Sequence, residues 1–158
     1  MAVYEGRLRP DGLRLALVVA RYHRPITEAL LTGAQEALRR HGVPAEAVDV
    51  VWVPGSFELP VTARRLAATR RYHAIVALGA VLKGETAHFE YVAGAAAQGL
   101  MQAGLATGVP VIFGVLTCET LEQALDRTGL RAGDRGAEAA LAALEMANLF
   151  RELPEGPA

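Results

Sequence analysis

The chain has 158 residues, of which 52% are hydrophobic and 21% charged, and its formal net charge is −1. That is the size of one domain, with enough core to fold without a disulfide or a structural metal. The charge balance argues against a partner held by positive excess, whether nucleic acid or a membrane surface, and polar or charged residues break every stretch before it reaches the roughly 18 apolar residues of a membrane helix.

Met1–Gly12 has no helical period and is open to two readings, a disordered terminus or an arm that adds to a neighbour's sheet edge. The expected organisation is an arm over 1–12, a single domain over 13–153 and a tail over 154–158. Four short runs of Val, Ile, Leu and Ala follow in chain order, Leu13–Ala20, Val48–Val53, Ala74–Ala80 and Val109–Leu116. They are nearly continuous rather than alternating, as in strands buried on both faces. Between and after them lie segments with helical spacing: Pro25–His41, Phe57–Thr69, Thr86–Thr107, Glu119–Thr128 and Asp134–Glu152. Alternation of this kind predicts an α/β fold, a parallel sheet with helices on both faces and right-handed crossovers. Pro25 suits a first helical turn, Gly42-Val43-Pro44 and Gly108-Val109-Pro110 stop helices, and Asp134 is a good N-cap. The last helix carries small and apolar residues on more than one face, which predicts burial on more than one side. Cys118 is the single cysteine. With no signal-peptide pattern at the start, the expectation is a reducing, cytoplasmic compartment.

In open parallel sheets, ligands bind beyond the carboxyl ends of the strands. Those ends carry Arg21-Tyr22-His23-Arg24, Pro54-Gly55-Ser56-Phe57-Glu58, Val81 to His88, and Thr117-Cys118-Glu119. Gly79 to Thr86 reads G-A-V-L-K-G-E-T, close to a nucleotide-binding loop, but Glu85 occupies the position of the phosphate-binding lysine. A carboxylate there repels a triphosphate, which argues against ATP or GTP hydrolysis. Gly84-Glu85-Thr86 is either an ordinary capped helix start or a site for a single phosphate. His88 beside it is either structural or a proton exchanger. Arg127, Arg131 and Arg135 form either a solvated basic turn or an anion site, for which a planar guanidinium such as that of Arg127 is suited. His41 and His73 are expected at the far end, facing solvent. The histidines and the cysteine show no metal-ligand spacing, and Lys83 has no neighbour that marks it as a nucleophile.

Taken together, these segments resemble the 6,7-dimethyl-8-ribityllumazine synthase family over almost the whole chain. The motifs are Val19-Ala20-Arg21-Tyr22, Val53 to Pro60 (VPGSFELP), Leu78 to Val92 (LGAVLKGETAHFEYV), Pro110 to Thr117 (PVIFGVLT), Glu122-Gln123-Ala124 with Arg127, Glu138-Ala139-Ala140, and Glu145-Met146. The resemblance implies a flavodoxin-like αβα sandwich with a four-stranded parallel sheet. It also implies a transferase of riboflavin synthesis that joins 5-amino-6-(D-ribitylamino)uracil to 3,4-dihydroxy-2-butanone 4-phosphate, with neither cofactor nor metal. By position it assigns stacking on the pyrimidine to Tyr22, the ribityl chain and ring to Ser56, Phe57 and Glu58, and the ring edge to Ala80, Val81 and Leu82. Phosphate falls to Glu85, Thr86 and Arg127, and proton transfer to His88, while Phe113 and Arg135 are lent by a neighbouring subunit. The implied assembly is a homopentamer. The short turn between the last two helices resembles members that pack twelve pentamers into a sixty-subunit shell, with riboflavin synthase as an enclosed partner. The chain departs from the common pattern at His23 (usually Asn), Lys83 (Arg), Arg131 and Arg135 (Lys) and Cys118 (Thr). The rival readings are a flavin or lumazine binder without turnover, and a structural shell. Retention of His88, Thr86 and Arg127 favours the enzyme, because a binder of an unphosphorylated ring needs no phosphate clamp.

Overall fold

The computed structural model describes residues 1–130 and 133–156; Arg131 of the basic turn and Pro157 of the tail lie outside them. Four strands, β1 (Leu15–Ala20), β2 (Val48–Val53), β3 (Ala74–Leu82) and β4 (Val111–Cys118), form one parallel sheet in the order β2-β1-β3-β4. The helices are α1 (Arg24–Arg40), α2 (Leu59–Ala68), α3 (His88–Thr107), α4 (Leu121–Asp126) and α5 (Arg135–Glu152), with 3₁₀ turns at Ala45–Ala47 and Ser56–Glu58. The expected flavodoxin-like α/β sandwich is what the chain forms.

The alternation of strand side chains builds both layers. Leu15, Leu17 and Val19 of β1 meet Ile26, Leu30 and Leu38 of α1 and the alanines of α5 on one face. Ala16, Val18 and Ala20 meet Leu59 and Ala63 of α2 and Leu100 of α3 on the other. Every residue of β1 is fully buried, as its near-continuous apolar run requires. No helix among the described residues is long and apolar enough to cross a membrane.

Several predicted boundaries move, each for an identifiable reason. β3 runs two residues past Ala80 because its pairing with β4 continues to Leu82 opposite Cys118, and the Lys83 N–H still donates to the Cys118 carbonyl at 2.9 Å. Residues 84–87 are then left to make the turn, so α3 starts at His88 and not at Thr86. β4 starts two residues late because Gly108, in the left-handed region at φ 70°, closes α3, and Pro110 has no N–H to give the ladder. The Phe57–Thr69 segment begins as a 3₁₀ turn and becomes α-helical only at Leu59, just before Pro60. Asp134 caps α5 as expected, its carboxylate accepting the Ala137 N–H at 3.0 Å.

The arm is ordered against its own chain. Asn148 of α5 is buried and donates from its amide to the carbonyls of Arg7 and Arg9, and Arg151 donates to that of Asp11. The arm thus covers part of a helix already packed against α1 and β4. His73 departs from the expected solvent role. It is half-buried, accepts the Arg14 N–H at Nδ1 (3.0 Å), and has the Arg151 guanidinium 3.4 Å from Nε2. Burial and that neighbouring positive charge hold its ring below the ordinary histidine range.

Candidate active site

The strand ends deliver most of the singled-out residues to one place. Beyond β1 and β2 the two chains remain paired, Arg21 N–H to Val53 carbonyl at 2.8 Å and Tyr22 N–H to Pro54 carbonyl at 3.1 Å. This holds Tyr22 beside the Gly55-Ser56-Phe57 turn. His23 follows in the left-handed region at φ 58°, as N-cap of α1. Its ring lies 4.5 Å from that of Tyr22 with a 58° tilt, and burial pushes its pKa down. Tyr22 and Phe57 remain 69% and 62% exposed. Open aromatic faces of this kind suit stacking on a planar heterocycle.

A cleft of about 570 Å³ is lined by Tyr22, Ser56, Phe57, Glu58 and His88, together with Tyr91 and Val92. A smaller recess of about 60 Å³ adjoins it and is lined by Ala80, Val81 and Leu82 with Tyr22, Ser56 and His88. Sequence reasoning gave Tyr91 no role. The clue was its spacing, three residues after His88 and so on the same helix face.

The floor of this cleft carries an unusual group. Ser56 is buried, and its hydroxyl is the buried side-chain polar atom that has no hydrogen-bond partner among the described residues. It fits because residue 79 is glycine: a Cβ on Gly79 would stand 2.5 Å from Ser56 Oγ and 3.1 Å from a methyl of Leu59.

Glu85 and Thr86 occupy the exposed loop before α3 rather than its first turn, and Thr86 Oγ1 accepts the His88 N–H at a long 3.4 Å. Arg127 sits elsewhere. With Phe113, Arg135, Glu138 and Cys118 it lines a second cleft of about 400 Å³ along β4, the edge strand. Its Nη1 donates to the Gln123 carbonyl at 2.8 Å and lies 4.0 Å from Cys118 Sγ. Arg135 is paired with Glu138 at 3.0 Å, whereas no carboxylate pairs with Arg127 among the described residues. The arginine predicted to share an anion with Thr86 thus lines the same cleft as Phe113 and Arg135, the two residues expected to serve a neighbour.

The chemistry available is modest: aromatic stacking, a guanidinium for an anion, a carboxylate at Glu58 and one exposed imidazole at His88. That suits joining two small molecules that bring their own nucleophile. The 6,7-dimethyl-8-ribityllumazine synthase family profile matches residues 12–151. The chain is 55% identical to a protein of Anaeromyxobacter sp. (strain Fw109-5) named 6,7-dimethyl-8-ribityllumazine synthase, over 157 residues that cover 99% of this chain and 96% of that one. With its motifs, its sheet and its strand-end clefts all in agreement, the chain belongs to the 6,7-dimethyl-8-ribityllumazine synthase family.

Proposed function

We propose that the chain condenses 5-amino-6-(D-ribitylamino)uracil with 3,4-dihydroxy-2-butanone 4-phosphate in a site made from the first cleft of one copy and the second cleft of the next. The uracil's amine attacks the ketone, and loss of water gives an imine. Phosphate leaves, the enol tautomerises, and the ribitylamino nitrogen closes the ring with loss of a second water. The amine comes from the substrate, so no side-chain nucleophile is required. The protein's share is orientation and proton transfer. Tyr22 stacks on the pyrimidine, Ser56, Phe57 and Glu58 hold the ring and ribityl chain, and Ala80, Val81 and Leu82 line its edge. Glu85 and Thr86 bring backbone to the phosphate, and His88 moves protons.

The observation that carries the shared site is the separation of the clefts. Tyr22, Ser56 and His88 line one, and Phe113, Arg127 and Arg135 line the other, on the sheet's free edge. A second copy that brings its β4 cleft to the first would set a guanidinium opposite Thr86 and an aromatic ring opposite Tyr22. A pentamer closes such head-to-tail contacts into a ring. The ends of the short turn between α4 and α5 are drawn together, Thr128 bridging Asp134 and the Gly129 N–H donating to the Gly133 carbonyl at 3.0 Å; that supports the sixty-subunit form, for which riboflavin synthase is the enclosed partner in this reading. The single cysteine, buried and unpaired, fits a cytoplasmic setting.

The test mixes the protein with both substrates and follows product absorbance and phosphate release. Arg127→Ala is expected to raise the KM of the butanone phosphate above all; a change confined to the uracil's KM would overturn the phosphate assignment. Sedimentation in low-phosphate and phosphate buffers tests assembly. A particle of five 16.7 kDa chains throughout would reject the shell, and an active monomer would reject the shared site.

A further inference from the structure

We infer that Gln123, an exposed residue that lines neither cleft, is the positioning residue for the Arg127 guanidinium. The inference rests on the reading of Arg127 as the phosphate ligand. Helix α4 is only six residues long, too short to hold itself together through its own backbone bonds. A reciprocal cap holds it instead. Thr120 Oγ1 accepts the Gln123 N–H at 3.1 Å, and Gln123 Oε1 accepts the Glu119 N–H at 2.9 Å. This is the arrangement of a capping box, with the glutamine reaching back one residue further than usual.

The same residue then serves Arg127 from its other end. The Gln123 carbonyl, left over at the end of a helix this short, takes the Arg127 Nη1–H at 2.8 Å. The Arg127 carbonyl accepts the Arg135 N–H at 2.9 Å, and the Arg127 N–H goes to Ala124 at 3.1 Å. The backbone of Arg127 is therefore clamped on both sides, while its side chain is aimed by one carbonyl. That carbonyl stays in place only while the cap holds α4 wound. A long side chain with no carboxylate partner among the described residues would otherwise lose its direction to rotamer entropy, and an anion would have to order it on binding. Because an anion gains from a guanidinium already aimed at it, the effect belongs to binding of the phosphate and not to the chemical step.

The experiment measures both KM values and kcat for Gln123→Ala, Gln123→Glu, Arg127→Ala and the double variant, with inorganic phosphate as competitive probe. Gln123→Ala should raise the butanone phosphate KM, and weaken phosphate inhibition, by the same factor of about two to thirty, the range that follows from losing a helix cap. The uracil KM and the kcat should move by less than about two-fold. Glutamate accepts the same N–H in a capping box, so Gln123→Glu should restore most of the loss. The double variant should be no worse than Arg127→Ala alone, since the glutamine acts only through that arginine. Thr120→Ala removes the other half of the cap and should copy Gln123→Ala, which guards against a folding defect peculiar to one variant. If Arg127→Ala raises the phosphate KM and Gln123→Ala does not, the positioning role is overturned and the phosphate reading survives. If Arg127→Ala itself leaves that KM unchanged, the phosphate reading falls, and the inference with it. Additive losses in the double variant would show that Gln123 acts by some route other than Arg127.

Discussion

Replacing Ser56 with alanine should make the protein more stable and a poorer enzyme. The hydroxyl is buried and has no partner among the described residues, and leaving a buried polar group unsatisfied costs about 1–3 kcal/mol. Alanine removes that oxygen and leaves the Cβ in place, so the cavity created is small against the desolvation recovered. In a domain of 158 residues each kcal/mol is worth about 2–4 °C in Tm. A rise of at least about 2 °C is therefore expected when the variant and the parent are melted side by side without substrates. The uracil substrate should pay the opposite way, its KM rising by about two- to ten-fold, the worth of one neutral hydrogen bond. Stability given up at a binding surface is a common trade. A Tm that falls or stays level would show that the hydroxyl is satisfied in the folded protein, and the reasoning from its isolation would fail.

Two further outcomes follow from the histidines. His88→Ala should lower kcat by no more than about 10²–10⁴-fold, because orientation of the two substrates survives it; complete loss of turnover in a folded variant would contradict an auxiliary role. Burial and the Arg151 charge disfavour the protonated His73 ring, so its folded pKa lies below its unfolded one. The stability it contributes is complete above the ordinary histidine range near 6.5 and is lost as the pH falls through the lower, folded value. Urea midpoints should accordingly drop between pH 7 and 5, and drop less in His73→Gln; the same slope in both proteins would refute this, His23 supplying the part that remains.

The sequence exposed its elements wherever a local signal was strong, and misplaced them where partners distant in the chain decide. The apolar run of β2 stands at its predicted bounds, and Asp134 caps α5 as its short carboxylate and position suggested. The end of β3 was hidden because the pairing of Leu82 with Cys118 crosses 36 residues of chain, and a period cannot report a partner. The same limit applied to the site. That Tyr22 and Ser56 meet could be read from adjacent strand ends, but which cleft receives Arg127 depends on a turn in which Arg127 and Arg135 exchange a backbone bond. Gln123 entered only as part of the Glu122-Gln123-Ala124 motif, since nothing in composition tells a solvated glutamine from one bonded to its own backbone. His73 was misjudged for a related reason. The groups that bury it, Arg14 and Arg151, lie 59 and 78 residues away.

The way the arm is fastened has a practical meaning. Asn148 and Arg151 grip it by the carbonyls of Arg7, Arg9 and Asp11, and a carbonyl is the same whatever side chain hangs beside it. The arm's attachment is consequently written largely in α5, and its own side chains matter less, save at Gly6, where any Cβ would run into the Glu145 backbone, and at Gly12, which turns in the left-handed region at φ 69°. Val3, Tyr4 and Leu8 face away from their own chain, so the arm presents apolar side chains to whatever lies beside it while its carbonyls hold it to α5.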